Sequence, residues 1–204
     1  MRRSTTIVLG TAALAAGAAV ALRRVDARWG SGDDPCAPDE LDAPAGTAST
    51  IVTDDGAAIS VLVAGDGTGP TVVLPHCWMG SRRVWAPVAH RLVRAGRTVV
   101  LYDQRGHGES TVGRDGFTIP RLGADLKAVL EHVDARDVVL GGHSMGGMTI
   151  QSLATHHLDV LAERVSALVL VSTACGGLSQ GRRDAGMAKA IGGALVERSM
   201  RGAY

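Results

Sequence analysis

The residue whose type and setting most clearly suit chemistry is Ser144. It stands alone in Gly141-Gly142-His143-Ser144-Met145-Gly146-Gly147, directly after the apolar run Val138-Val139-Leu140. A helical pattern of Met148, Ile150, Leu153, Ala154 and Leu158 begins at once afterwards, so the segment reads strand, tight turn, helix. A turn that sharp pushes its apex residue into an unfavourable backbone region and exposes the side chain above the sheet edge. Strand and helix can approach this closely only where side chains are nearly absent, and Gly142 and Gly146 flank the serine at two residues on either side. The geometry suits a nucleophile; the bland alternative is a glycine-rich turn whose serine caps the helix. A serine hydroxyl reacts poorly near neutral pH unless a base lies within hydrogen-bond reach, itself oriented by a carboxylate.

The elements that must position this serine alternate in type. Ser49-Thr50-Ile51-Val52-Thr53 and Ala58-Ile59-Ser60-Val61-Leu62-Val63 flank an Asp54-Asp55-Gly56 turn, a hairpin signal. Thr71 to Leu74 and Arg97 to Tyr102 are apolar runs of the kind buried on both faces. Helical spacing appears in Val84, Trp85, Val88, Leu92 and Val93, and again over about 118–134 with Leu122, Leu126, Val129, Leu130 and Val133 on one face. Val165 to Val171 reads as a further strand. Such alternation calls for an α/β fold, a mostly parallel doubly wound sheet opened by an antiparallel hairpin.

Composition excludes several classes. A formal net charge of +1, with basic residues scattered, gathers no polyanion, so nucleic acid is not an expected partner. Only six aromatic residues leave the core to Val, Leu, Ile and Ala. Cys36, Cys77 and Cys175 lie far apart with no ligand spacing around them, so neither a metal site nor a disulfide framework is indicated.

The first 25 residues differ from the rest. Thr5 to Leu22 carries no charge between Arg2-Arg3 and Arg23-Arg24, and as a helix would reach about 27 Å, near the thickness of a bilayer core. Membrane association through residues 5–22 as a single anchor is one reading. A cleaved export signal ending at Ala19-Val20-Ala21 is the other. Residues 26–46, rich in proline, glycine and acids, read as a tether. A folded core is expected over 47–175, and a glycine- and arginine-rich stretch follows over 176–204.

Three segments resemble the α/β-hydrolase superfamily, in its serine-hydrolase group of esterases and haloperoxidase-like enzymes. They are Leu74-Pro75-His76-Cys77-Trp78, Tyr102-Asp103-Gln104-Arg105-Gly106-His107-Gly108-Glu109-Ser110, and Gly142-His143-Ser144-Met145-Gly146-Gly147. The resemblance implies that Ser144 is the nucleophile. It implies an oxyanion hole from the backbone N–H groups of Trp78 and Met145, a small acyl substrate and no cofactor. Cys77 stands where the family usually has glycine. His76 is structural at this position of the family; His107 and His143 are better explained by loop hydrogen bonding or packing, and Asp103 by tying down its loop. His156 and His157 sit where the C-terminus of a helix favours a positive partner. Residues 176–204 correspond to the start of a cap. The family order is Ser, then acid, then His, and neither later partner is found after Ser144, so the sheet is expected to be C-terminally incomplete. A fragment of a longer enzyme and a shortened product without hydrolase activity, tethered as a binding or remnant domain, both fit. Either leaves the strand at 165–171 as an apolar edge.

Overall fold

The computed structural model describes residues 36–175. The expectations for the hydrophobic segment, residues 26–35 of the tether and the cap lie outside them. Among the described residues no helix is long and apolar enough to cross a membrane.

Six strands form one sheet: β1 (Gly46–Val52), β2 (Ala58–Ala64), β3 (Val72–Leu74), β4 (Val99–Tyr102), β5 (Val138–His143) and β6 (Val165–Val171), in the order β1-β2-β4-β3-β5-β6. β1, β2 and β4 pair antiparallel, and β4, β3, β5 and β6 pair parallel. The helices are α1 (Ala86–Arg94), α2 (Ile119–His132), α3 (Met145–His156) and α4 (Leu158–Arg164), with 3-10 turns at Pro38–Leu41 and Arg82–Trp85.

Alternation along the strands sorts the core into two layers. Val100, Tyr102, Val73 and Leu140 pack with Leu126, Val129 and Leu130 of α2 and Ile150 and Leu153 of α3. Val99, Leu101 and Leu74 face the other way onto Ala89, Leu92 and Val93 of α1. A strand covered on both faces must be apolar throughout, and β4 is buried at all four positions. Each fully buried Leu or Val of these layers contributes about 1.5–3 kcal/mol of transfer free energy.

The pattern that read as one helix from Met148 through Leu158 divides at His157 into α3 and α4. A compact unit begins at Pro38, and two acids of the stretch read as a tether have partners. Glu40 pairs with Arg94 at 2.7 Å, Asp42 pairs with Arg83, His90 Nε2 donates to the Asp42 carbonyl, and Ala43 packs against the α1 layer. The helix expected from Val84 starts as a 3-10 turn, with Pro87 in the first turn of α1. β6 lies at the edge of the described sheet with Leu168, Val169, Leu170 and Val171 exposed.

Candidate active site

β4, β3 and β5 are neighbours and parallel, so the segments leaving their carboxyl ends emerge on one edge of the sheet. These are the three motif segments, after Leu74, after Tyr102 and after His143. The chain moves from β3 to β4 on one side and later to β5 on the other, and such a reversal opens a crevice at the carboxyl ends.

Ser144 sits at φ 51°, ψ −112°, outside the regions open to a residue with a Cβ. The strain is held from several sides. Its N–H donates to the Val171 carbonyl at 2.9 Å, and its own carbonyl accepts from Thr173 Oγ1 at 2.7 Å and from Gly147 N at 3.0 Å. A Cβ on Gly142 would meet the backbone of Gly146 and Gly147, and one on Gly146 would run into the Pro75 carbonyl, so both glycines are required by close approach. The half-buried Ser144 side chain does not cap α3, and its hydroxyl has no hydrogen-bond partner among the described residues. The capping alternative therefore fails. At the start of α3 the Met145 N–H is one of the donors a helix leaves without an internal partner, and no described group accepts from it; Met145 itself is 3% exposed.

The β3 exit loop is stitched to the β4 exit loop by two imidazoles. His76 Nε2 accepts from Gln104 N at 3.0 Å, so Nδ1 carries the proton and donates to the Cys77 carbonyl at 2.8 Å. His107 mirrors it: Nε2 accepts from Met79 N at 3.2 Å and Nδ1–H donates to the Arg105 carbonyl at 3.0 Å. Both rings are thus committed to backbone groups. Burial, helped by the neighbouring His107, holds His76 below the ordinary imidazole value. Between these stitches Trp78 packs edge-on against His107 and Phe117, with centroids 5.6 and 5.1 Å apart. Trp78 N–H, like Met145 N–H, donates to no described group. Cys77 is half-buried beside it, and Met79 lies at φ 57°.

Asp103 ties its loop as expected, accepting from Arg82 N at 2.7 Å and Glu109 N at 3.0 Å. The sequence reading missed Arg105. It is fully buried, with five hydrogen bonds: two to Asp125, two to Asp55 and one to the Gly116 carbonyl. The Arg105 hydrogen bonds hold Asp55 far below the usual carboxylate range, whereas burial outweighs the same guanidinium at Asp125 and raises it. A hairpin-turn aspartate and a helix aspartate gave no local sign of converging on one arginine. Gln104 and Thr149, both fully buried, were missed for the same reason.

His143 lies edge-on to Trp85 at 6.5 Å, and His156 Nδ1–H donates to the Ser152 carbonyl at 3.0 Å. No histidine is hydrogen-bonded to Ser144 among the described residues. A cleft of about 340 Å³ lined by Asp54, Asp125, Lys127, Glu131 and His157 involves none of the three motif segments. No described group of three His, Cys, Asp or Glu side chains could hold a metal ion.

Comparison with known proteins agrees with the arrangement. The chain is 35% identical over 105 residues to a non-heme haloperoxidase of Rhodococcus erythropolis, covering 52% of this chain and 37% of that protein. It is 37% identical over 106 residues to the sn-1-specific diacylglycerol lipase ABHD11 of Xenopus laevis, covering 52% and 34%. An esterase from Exiguobacterium antarcticum superposes with a TM-score of 0.58 at 27% identity, over 63% of this chain and 46% of that one. The chain thus spans little more than a third of the length of these curated relatives. The model of the alpha/beta hydrolase fold family matches residues 70–190, from β3 through the Ser144 turn and β6. With that match running over more than half its length, the chain belongs to the alpha/beta hydrolase fold family.

Proposed function

We propose that the protein is a hydrolase of esters or related acyl compounds in which Ser144 is the nucleophile. The observation that carries the reading is the strained φ of Ser144 at the start of α3, with a hydroxyl that no described group engages. Strain of about 1–3 kcal/mol at one residue persists only where its surroundings enforce it. In the proposed reaction Ser144 Oγ bonds to the substrate carbonyl carbon and its proton passes to a base. The carbonyl oxygen becomes an anion that the Trp78 and Met145 N–H groups receive. Each such donor lowers the barrier by roughly 3–4 kcal/mol. The tetrahedral intermediate then expels the protonated alcohol, and water later releases the acid.

No described histidine is hydrogen-bonded to Ser144, and His76 and His107 already use both ring nitrogens on backbone groups, so neither of these two is the base. That same observation favours a second reading, a binding domain without turnover. A fluorophosphonate probe separates the two, since it phosphonylates an activated serine and needs no acyl turnover. Labelling that disappears in S144A supports the hydrolase; no Ser144-dependent labelling removes the nucleophile. Residues 5–22 are proposed as a membrane tether, tested by co-sedimentation with vesicles before and after removal of that segment.

A further inference from the structure

The two proposed oxyanion donors belong to different elements. Trp78 N–H hangs on the loop leaving β3, and Met145 N–H opens α3. No single helix or strand fixes the distance between them, yet acyl transfer depends on it: a misplacement of about 1 Å can cost on the order of 100-fold in rate. The His143 N–H, two residues before Met145, donates to the Pro75 carbonyl at 3.4 Å, and two contacts reach α3 itself. Gly146 lies against the Pro75 and His76 carbonyls, which limits how near the elements can come.

The other contact opposes separation. Gln104 Nε2 donates to the His76 carbonyl at 2.6 Å, and Gln104 Oε1 accepts from Thr149 Oγ1 at 2.6 Å. Thr149 stands one helical turn after Met145, whose carbonyl is also within reach of the threonine hydroxyl at 3.0 Å. The Gln104 backbone N–H additionally holds the His76 ring. Gln104 and Thr149 are both 0% exposed. A buried amide is costly to desolvate unless its polar atoms are bonded, and an apolar side chain would fill the same space without that cost. The amide is explained by what it joins.

We propose that Gln104 is a positioning residue, a side-chain bridge that sets the spacing between the β3 exit loop and the first turn of α3, and so between the two oxyanion donors. The inference rests on the serine-hydrolase reading.

The test uses the full chain carrying T149V, which keeps the side-chain shape and removes only the hydroxyl, with T149S as the conservative rescue and Q104L as a second break in the bridge. Amide resonances of residues 76–79 are compared by NMR, and Ser144 phosphonylation by a fluorophosphonate is resolved into probe affinity and maximal labelling rate. The phosphoryl oxygen of the probe occupies the same hole as an acyl oxyanion. The expected result is that T149V moves the loop resonances although it lies on α3, and slows maximal labelling about 10–100-fold with affinity unchanged, while T149S restores both. A merely structural threonine would leave the 76–79 resonances and the labelling rate alone. Unmoved loop resonances, or wild-type labelling that T149V does not slow, overturn the bridge while the serine reading stands. A wild-type chain that is never labelled at Ser144 overturns both.

Discussion

Replacing Ser144 by glycine is expected to stabilise the fold while removing the reactivity assigned to it. At φ 51° and ψ −112° a residue with a Cβ carries strain of about 1–3 kcal/mol. Its hydroxyl bonds to no described group, so deleting Oγ removes no hydrogen bond from the folded chain, and the backbone bonds to Val171 and Thr173 survive in glycine. Against the relief stands the greater freedom of glycine in the unfolded chain, about 0.5–1 kcal/mol. The difference is a net gain on the order of 1 kcal/mol, or about 2–4 °C in Tm for a chain of this size. Alanine keeps the Cβ and so the strain, and S144A should lie within about 0.5 kcal/mol of wild type. Urea unfolding, with equal m-values required across the three proteins, reads the difference as a shift in midpoint. If S144A stabilises as much as S144G, or if S144G falls below wild type, the backbone at this position is not strained and the case built on the Ser144 turn fails.

R105K keeps the charge but offers three donors where the guanidinium makes five hydrogen bonds. At least two bonds to or from charged groups are lost, about 3–6 kcal/mol at 1.5–3 each, and a chemical melt within about 1 kcal/mol of wild type would contradict this. Because His76 is held below its ordinary 6.5, the folded chain binds that proton less tightly than the unfolded chain. Its contribution is therefore complete above about pH 6.5 and is lost as pH falls through the lower folded value. Wild-type stability should drop over that window more steeply than that of H76Q, and parallel pH profiles would refute the assignment. G146A drives a methyl into the Pro75 carbonyl, which sits at the end of a strand and cannot swing aside. The expected loss is about 1–3 kcal/mol together with slower labelling of Ser144, and a thermal melt unchanged from wild type would show the contact to be slack.

Much of this was legible along the chain because it depends on neighbours in sequence. The period-2 and period-3.6 patterns placed the strands and helices α1 to α3, and Val165–Val171 agrees with the reading at both ends, while α4 was not read apart from α3. Helix α2 lies inside the expected 118–134, with Thr118 as its cap. The glycines around Ser144 foretold a bend tight enough to strain its apex, since the absence of side chains is itself local information. What escaped were partnerships between residues 20 to 50 apart. Asp55 read as part of a hairpin turn and Asp125 was not singled out; only when the sheet closed did both meet Arg105. Gln104 was one letter of a loop motif until β4 and β5 flanked β3 and brought His76 and Thr149 to either end of its amide. Periodicity reports which way a side chain faces, because burial repeats along a single element. Which buried polar group another one finds depends on how elements distant in sequence are laid side by side, and that is decided only by the packed sheet.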